Sequence, residues 1–361
     1  MGDMVGTPTV IVDADVLDRN IAAMADAMAA KGVDLRPHAK THKIVEIAHK
    51  QIKAGAVGLS VATIGEAEVF ADAGVDDLFI AYPLWLTRSS AARLAALAKR
   101  VDISFGIDSA PAAVTAARLL GDAVSRVEVV IEVDSGHHRT GALVDDVVDV
   151  AKAAADAGLR VSGVFTFPGH SYGPDAQVPA ATQEATTLRD AADLLTEAGF
   201  RVDVRSGGST PSALLSDADV LTEARPGVYV FGDAQQWELG RIEPDDIALT
   251  VLATVVSRHE GPANRRIVLD SGSKVLGSDR PGWTTGFARL RDHPDARVTA
   301  LSEHHATVEF PKRAALPALG SRIRVVPNHV CPVLNLVDDV AVARGGLVVG
   351  RWTVAARGRN S

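Results

Sequence analysis

The sequence predicts an α/β fold in which a parallel (β/α)8 TIM-like barrel is followed by a second, mainly antiparallel β domain. Three observations carry that reading. From about residue 13 to residue 231, short β-branched runs alternate with Ala-rich stretches of helical spacing. The alternation gives eight strand-like runs, the number that closes a parallel barrel. After about residue 245 the alanine stretches give way to Val-rich runs broken by Gly and Pro. The expected domains are residues 13–245 for the barrel and 246–361, with residues 1–12, for the β domain. An open, doubly wound sheet is the alternative, because closure is not visible in a sequence.

The elements follow in order. Strands are expected at 35–37, 57–61, 77–82, 102–106, 127–133, 161–167, 201–205 and 227–231. Helical spacing marks 87–100, 110–121, 145–158 and 177–199 between them. Glycine closes several helices, as at Gly74, Gly158 and Gly199, where a left-handed turn is needed. In the second domain, strands are expected at 248–258, 266–269, 307–310, 322–326, 340–343 and 347–355. The first strand-like piece, 7–12, precedes the barrel's opening helix and is expected to pair with that second domain.

Bulk properties narrow the function. At 361 residues the chain can build two cores, and although 47% of it is hydrophobic, no apolar run reaches the length of a membrane span. The opening MGDMVGTPTV has no basic-then-apolar leader, and Gly6 stands where a myristoylation motif after Gly2 wants Ser or Thr. A cytoplasmic protein is expected. A single cysteine forms no internal disulfide, so stability must come from core burial. Net charge is −8 with both signs interspersed, and the chain has no basic stripe and few aromatic residues. That pattern argues against a nucleic-acid partner.

The densest chemistry lies at the end of the first strand, in RPHAKTHK, residues 36–43. Lys40 has Arg36, His38, His42 and Lys43 as sequence neighbours, and nearby positive charge favours the neutral amine that a lysine nucleophile requires. A solvated basic turn is the plain alternative. A metal pair of His38 and His42 is a third, weakened by Pro37, which argues against a helix aligning them. Later, Ser206-Gly207-Gly208-Ser209-Thr210 follows the seventh strand and precedes a short helix expected near Pro211. Glycines let backbone N–H groups close on a phosphate, hydroxyls add donors, and a helix N-terminus favours the anion. His329 and Cys331 stand at i and i+2, which puts both side chains on one face of an extended segment. Imidazole with thiolate suits Zn²⁺, and two protein ligands leave positions open for water and substrate.

These segments, together with TPTVIVDADVLDRNI, EVDSGHHRTG, PGHSYG, ARPGVYVFGD and PNHVCPVLNL, resemble the D-threonine aldolase and D-serine dehydratase family. Members are relatives of alanine racemase with a barrel-plus-β-domain fold, and the resemblance runs along nearly the whole chain. It implies that Lys40 holds pyridoxal 5'-phosphate and that Gly207, Gly208, Ser209 and Thr210 cradle its phosphate with help from Tyr229. Arg139 is implied to face the pyridine nitrogen, where a permanent cation weakens the ring as an electron sink. His329 and Cys331 are implied to bind a divalent metal, zinc or else manganese, that grips the substrate's β-hydroxyl. His170, an acid–base candidate, and Tyr172 match active-site positions. His137 and His138 read as exposed loop residues, and His304 and His305 receive no role.

The resemblance implies a small D-amino acid as substrate and a homodimer as the assembly. Cys331 and the GHSY segment favour a D-serine or D-threonine dehydratase, giving a 2-oxo acid and ammonia. The alternative is an aldolase giving glycine and an aldehyde, which the PVLNL after Cys331 resembles. A racemase is disfavoured because its second base is a tyrosine of the β domain, and Tyr82, Tyr172 and Tyr229 all precede residue 246. A non-catalytic cofactor carrier is disfavoured by the second domain itself.

Overall fold

A computed structural model describes residues 5–261 and 264–361. Residues 1–4, including the Gly2 weighed above as a myristoylation site, lie outside the described residues. The chain divides into two compact units, one of residues 23–40, 45–227 and 359–361, the other of the residues up to Ala22, 41–44 and 228–358.

Eight parallel strands build the first unit: Asp34–Leu35, Leu59–Val61, Asp77–Pro83, Asp102–Ile107, Glu128–Glu132, Arg160–Phe165, Val204–Gly207 and Glu223–Ala224. The first pairs with the eighth, and the rest follow in sequence back to the second. The ends of that order meet. Val57 N–H donates to Leu35 O at 3.0 Å, Ser60 N–H donates to Pro37 O at 3.0 Å, and His38 bridges Ser60 in parallel. The sheet therefore curls round on itself, as a parallel sheet covered by helices must if it is to leave no edge.

The connecting helices sit where alanine spacing puts them. Arg88–Leu97 starts with a capping box of Thr87 and Ser90, Ala110–Leu120 has proline in its first turn, and Val147–Asp156 and Gln177–Glu197 follow. Inside the barrel, Phe79 and Phe165 meet edge to face with centroids 5.0 Å apart, and Val130 packs with them. Such a pair contributes about 0.5–1.5 kcal/mol beyond its buried area.

Two expected strands are corrected. The run 227–231 is not the eighth strand: Val228–Val230 forms one 3₁₀ turn, and the eighth strand is Glu223–Ala224. Pro226 has no N–H for the ladder, so the strand ends before it. The seventh strand begins at Val204, later than the expected 201–205.

The second unit is a nine-stranded, mostly antiparallel sheet. Its strand Thr9–Asp13 lies antiparallel to Leu249–Gly261 and parallel to Asp339–Arg344, the pairing expected for the opening segment. Ile11, Leu252, Ala341 and Ala343 bury their side chains together across these strands. Strands at Ala288–Leu290 and Arg297–Leu301 were not anticipated from the sequence. Among the described residues, no helix is long and apolar enough to cross a membrane.

Candidate active site

Lys40 sits in a single 3₁₀ turn, Ala39–Thr41, directly after the first barrel strand. His38 N–H donates to Pro226 O at 3.0 Å, which carries the pairing with the eighth-strand side of the barrel past the last residue of the first strand. The half-buried Lys40 side chain places Nζ 5.4 Å from the centroid of Phe167. Arg139 lies over the same ring at 5.0 Å, and His137 meets it edge to face at 5.5 Å. Lys40, Arg139 and His137 thus converge on one aromatic ring just past the sixth strand.

Phe167 received no role from the sequence, and His137 is corrected from an exposed loop residue to a half-buried one. The close fit explains the correction: a Cβ on Gly169 would lie 2.5 Å from His137 Nε2, so glycine there lets the imidazole pack inward. Burial, then Arg139 and His170, hold the His137 pKa below its ordinary value. His138 is exposed and bonded to Asp134 at 2.7 Å. Arg139 is itself exposed.

His170 and Tyr172 share the 3₁₀ turn Gly169–Tyr172, and both are half-buried. His170 Nε2 lies 2.9 Å from Gln183 Oε1, while its Nδ1 is buried without a hydrogen-bond partner. With the amide oxygen as acceptor, Nε2 carries the proton and Nδ1 presents a lone pair. Gln183 comes from the long helix Gln177–Glu197, which fixes the ring from behind.

The glycine loop is built from close approaches. Gly208 has φ of 75°, a conformation that favours glycine, and its N–H donates to Glu184 Oε1 at 2.6 Å. A Cβ on Gly207 would come within 2.4 Å of that same oxygen. Ser209 is buried, with its hydroxyl 2.8 Å from those of Ser171 and Ser212. The helix expected near Pro211 is only the 3₁₀ turn Ala213–Leu215. A turn that short sums few peptide dipoles, so anion affinity must come from amides and hydroxyls.

Two further charged groups lie behind this loop. Glu184 is fully buried, and burial pushes its carboxyl up to about 7 against the opposing Gly208 N–H and Arg225. Arg225, at the end of the eighth strand, donates to Thr166 O at 2.6 Å and to Ser206 Oγ, with Phe79 and Phe165 against its guanidinium. Burial depresses its pKa, while Glu223, Glu184 and Glu132 pull the other way. Neither residue was singled out in the sequence, since their roles come from partners far along the chain.

In the second unit, His329 has extended backbone and immediately precedes the helix Val330–Leu336. The expectation of two ligands on one face of an extended segment is therefore corrected. Cys331 lies in the first helical turn, whose start is held by Val330 N–H donating to Asp233 Oδ2 at 3.4 Å. The two residues remain electrostatic neighbours nonetheless, since Cys331 is the largest of the influences that raise the His329 pKa. His329 Nδ1 is 2.7 Å from Asp279 Oδ2, and Cys331 Sγ is 3.4 Å from Thr41 Oγ1. Burial works against a charged His329, but Cys331, Asp279 and Asp233 together push its pKa up to about 11.

Tyr229 is buried in the turn Val228–Val230 of this unit, not in a barrel strand as expected. His304 and His305 are exposed, with Lys274 Nζ 3.5 Å from His304 Nε2. Among the described residues, no three His, Cys, Asp or Glu side chains gather closely enough to hold a metal ion.

The donor chemistry fits the two groups the sequence implies. An amine and a guanidinium facing a flat ring, beside a loop that only glycine can close, suit an aromatic aldehyde with a phosphate. An imidazole beside a thiol suits a soft divalent cation that keeps open positions.

Comparison with known proteins identifies the family. Residues 12–235 match the alanine racemase N-terminal domain and residues 248–343 the putative serine dehydratase domain. The D-threo-3-hydroxyaspartate dehydratase of Delftia sp. (strain HT23) is 35% identical over 354 residues, 90% of each chain. Its structure has a TM-score of 0.89 at 32% identity, with 97% of both chains covered, and a cysteine-to-alanine variant has been solved in the metal-free form. The D-threonine aldolase of Arthrobacter sp. is 33% identical over 364 residues, 98% of this chain and 93% of that one. The D-serine dehydratase of Dictyostelium discoideum is 30% identical over 373 residues, 93% of each.

Proposed function

Because the chain belongs to the alanine racemase-like family of pyridoxal-phosphate lyases that carry a serine dehydratase domain, we propose that it is a dehydratase of 3-hydroxy-D-amino acids. Its products are a 2-oxo acid and ammonia. When bound, the coenzyme supplies an electron sink for charge developing at the substrate's α-carbon, and a divalent cation supplies a Lewis acid for its hydroxyl.

The chain's own residues do the rest. Lys40 Nζ would hold the coenzyme's aldehyde carbon and, as a free amine, would be the base that accepts the α-proton. Gly207, Gly208, Ser209 and Thr210 hold the phosphate, with Tyr229 assigned to help. Arg139 supplies a permanent cation for the pyridine nitrogen. His329 and Cys331 hold the cation. His170 exchanges a proton at Nδ1, and Tyr172 lines the substrate side.

One observation carries the choice of dehydratase: the donor beside His329 is a thiol. A D-threo-3-hydroxyaspartate dehydratase variant with a cysteine replaced by alanine, solved in the metal-free form, supports it. The aldolase-like PVLNL has another explanation. Val333 and Leu334 are fully buried, and Asn335 Oδ1 accepts from Lys43 Nζ at 3.1 Å and from Gly358 N–H at 3.0 Å. That stretch is scaffold.

A second reading, D-threonine aldolase, is favoured by His170 alone. A buried Nδ1 without a hydrogen-bond partner suits a base that takes the proton of a substrate hydroxyl before the Cα–Cβ bond breaks. Product analysis on D-serine, D-threonine and D-threo-3-hydroxyaspartate separates the two. Ammonia and a 2-oxo acid support the dehydratase; glycine and an aldehyde overturn it in favour of the aldolase.

A further inference from the structure

We propose that Asp279 is a positioning residue which presents His329 Nε2, and not Nδ1, to the cation. This inference rests on the reading that His329 and Cys331 hold a metal. One side-chain hydrogen bond decides which nitrogen of the imidazole stays free. Nδ1 is taken by Asp279 Oδ2 at 2.7 Å. With Nδ1 occupied, Nε2 is the ring nitrogen left for a cation shared with Cys331, two residues on. A carboxylate on Nδ1 fixes the proton there, aims the ring, and makes Nε2 a better donor.

The carboxylate is held in place by its own support. Asn328, only 2% exposed, donates from Nδ2 to Asp279 O at 3.0 Å and to Gly286 O at 2.8 Å. Its carbonyl accepts from Gln235 N–H at 3.2 Å. At the other end of the loop, Gly277 has φ of 71°, and a Cβ there would come within 3.3 Å of Pro332 Cβ, one residue past Cys331. The loop bearing Asp279 is therefore braced against residues on both sides of the His329–Cys331 pair. Asp233 completes the brace: Oδ2 accepts from Val330 N–H at 3.4 Å and Oδ1 from Gln236 N–H at 2.9 Å.

Asp279 is exposed, so its replacement leaves the fold intact, which a melting curve checks. The test is equilibrium binding of Zn²⁺ and Mn²⁺ to the full-length protein, measured against a competing chelator. Co²⁺-substituted protein reports the thiolate charge-transfer band in parallel.

Asp279→Ala should weaken metal binding by about 10–100-fold, the usual cost of losing an outer partner of a metal-bound histidine. Asp279→Asn keeps an oxygen for Nδ1–H and should recover most of that loss. Both variants should show the thiolate band once saturated with Co²⁺. Binding by Asp279→Ala within about twofold of wild type overturns the inference while leaving the metal reading intact. Asp279→Asn as weak as Asp279→Ala overturns it in favour of direct ligation by the carboxylate. A wild-type protein that binds no metal at all overturns the parent reading and this one together.

Discussion

Replacing Glu184 with glutamine tests the electrostatics behind the glycine loop. In the wild type, Oε1 accepts the Gly208 N–H at 2.6 Å and Oε2 meets no partner. Burial lifts the carboxyl from its ordinary 4.5 to about 7. The folded chain therefore binds this proton more tightly than the unfolded chain does. Linkage then fixes the sign: the contribution is fully present below the unfolded value and is lost as pH rises through the folded one. A rise of about 2.5 pH units at about 1.36 kcal/mol each amounts to about 3 kcal/mol. Most of that falls between pH 5 and pH 8. Glu184→Gln retains an oxygen for Gly208 and has no proton to lose. Urea unfolding of both proteins across that pH range should show the wild type losing about 2–3 kcal/mol relative to the variant. Other groups, including Asp233, whose carboxyl burial pushes up to about 6, titrate in both proteins and cancel in the difference. Stabilities that move in parallel with pH would refute the reasoning.

Three other outcomes are expected. Lys40→Ala should abolish the visible absorbance of the bound coenzyme and all turnover; a coloured, active variant would remove Lys40 from the attachment role. Chelation should abolish lyase activity, with Zn²⁺ or Mn²⁺ restoring it to the wild type, while Cys331→Ala should lose metal retention in dialysis; unchanged metal content in that variant would exclude the thiol as a ligand. Phe165→Ala empties a fully buried position between Phe79 and Arg225 and should cost about 3–5 kcal/mol in denaturant unfolding; an unchanged midpoint would mean the barrel core closes without it.

The barrel was legible because its signals are local. Alanine spacing placed Gln177–Glu197 and Ala110–Leu120 within two residues of their observed ends, since helix periodicity is a property of the segment itself. The strand ends were less legible. The eighth strand is two residues long, and its pairing is set by Asp34 and Ser206, which the segment does not contain. The β-branched run at 228–230 looked more like a strand than Glu223–Ala224 did, and only Pro226 warned against it. Strands such as Arg297–Leu301 alternate weakly and are held by their neighbour Ala306–Glu309, so no pattern in the run announces them.

The site divides along the same line. Lys40, the Gly207-Gly208 pair, His329 and Cys331 could be picked out because their chemistry is visible in the residue type: an amine, a Cβ-free turn, two metal donors. Phe167, Glu184, Arg225 and Asp279 carry ordinary chemistry, and each matters only through a partner. Glu184 is an unremarked helix residue until Gly208 arrives from 24 positions away. Asp279 meets His329 across 50 positions. The local geometry of His329 and Cys331 differs from the expectation for the same reason. An i, i+2 spacing implies a shared face only if the backbone is extended, and Asp233, remote in sequence, anchors the amide at the start of the helix instead. Residue type thus identifies the groups that react, while the groups that hold them in register are defined by contacts, and become visible only when the chain is folded.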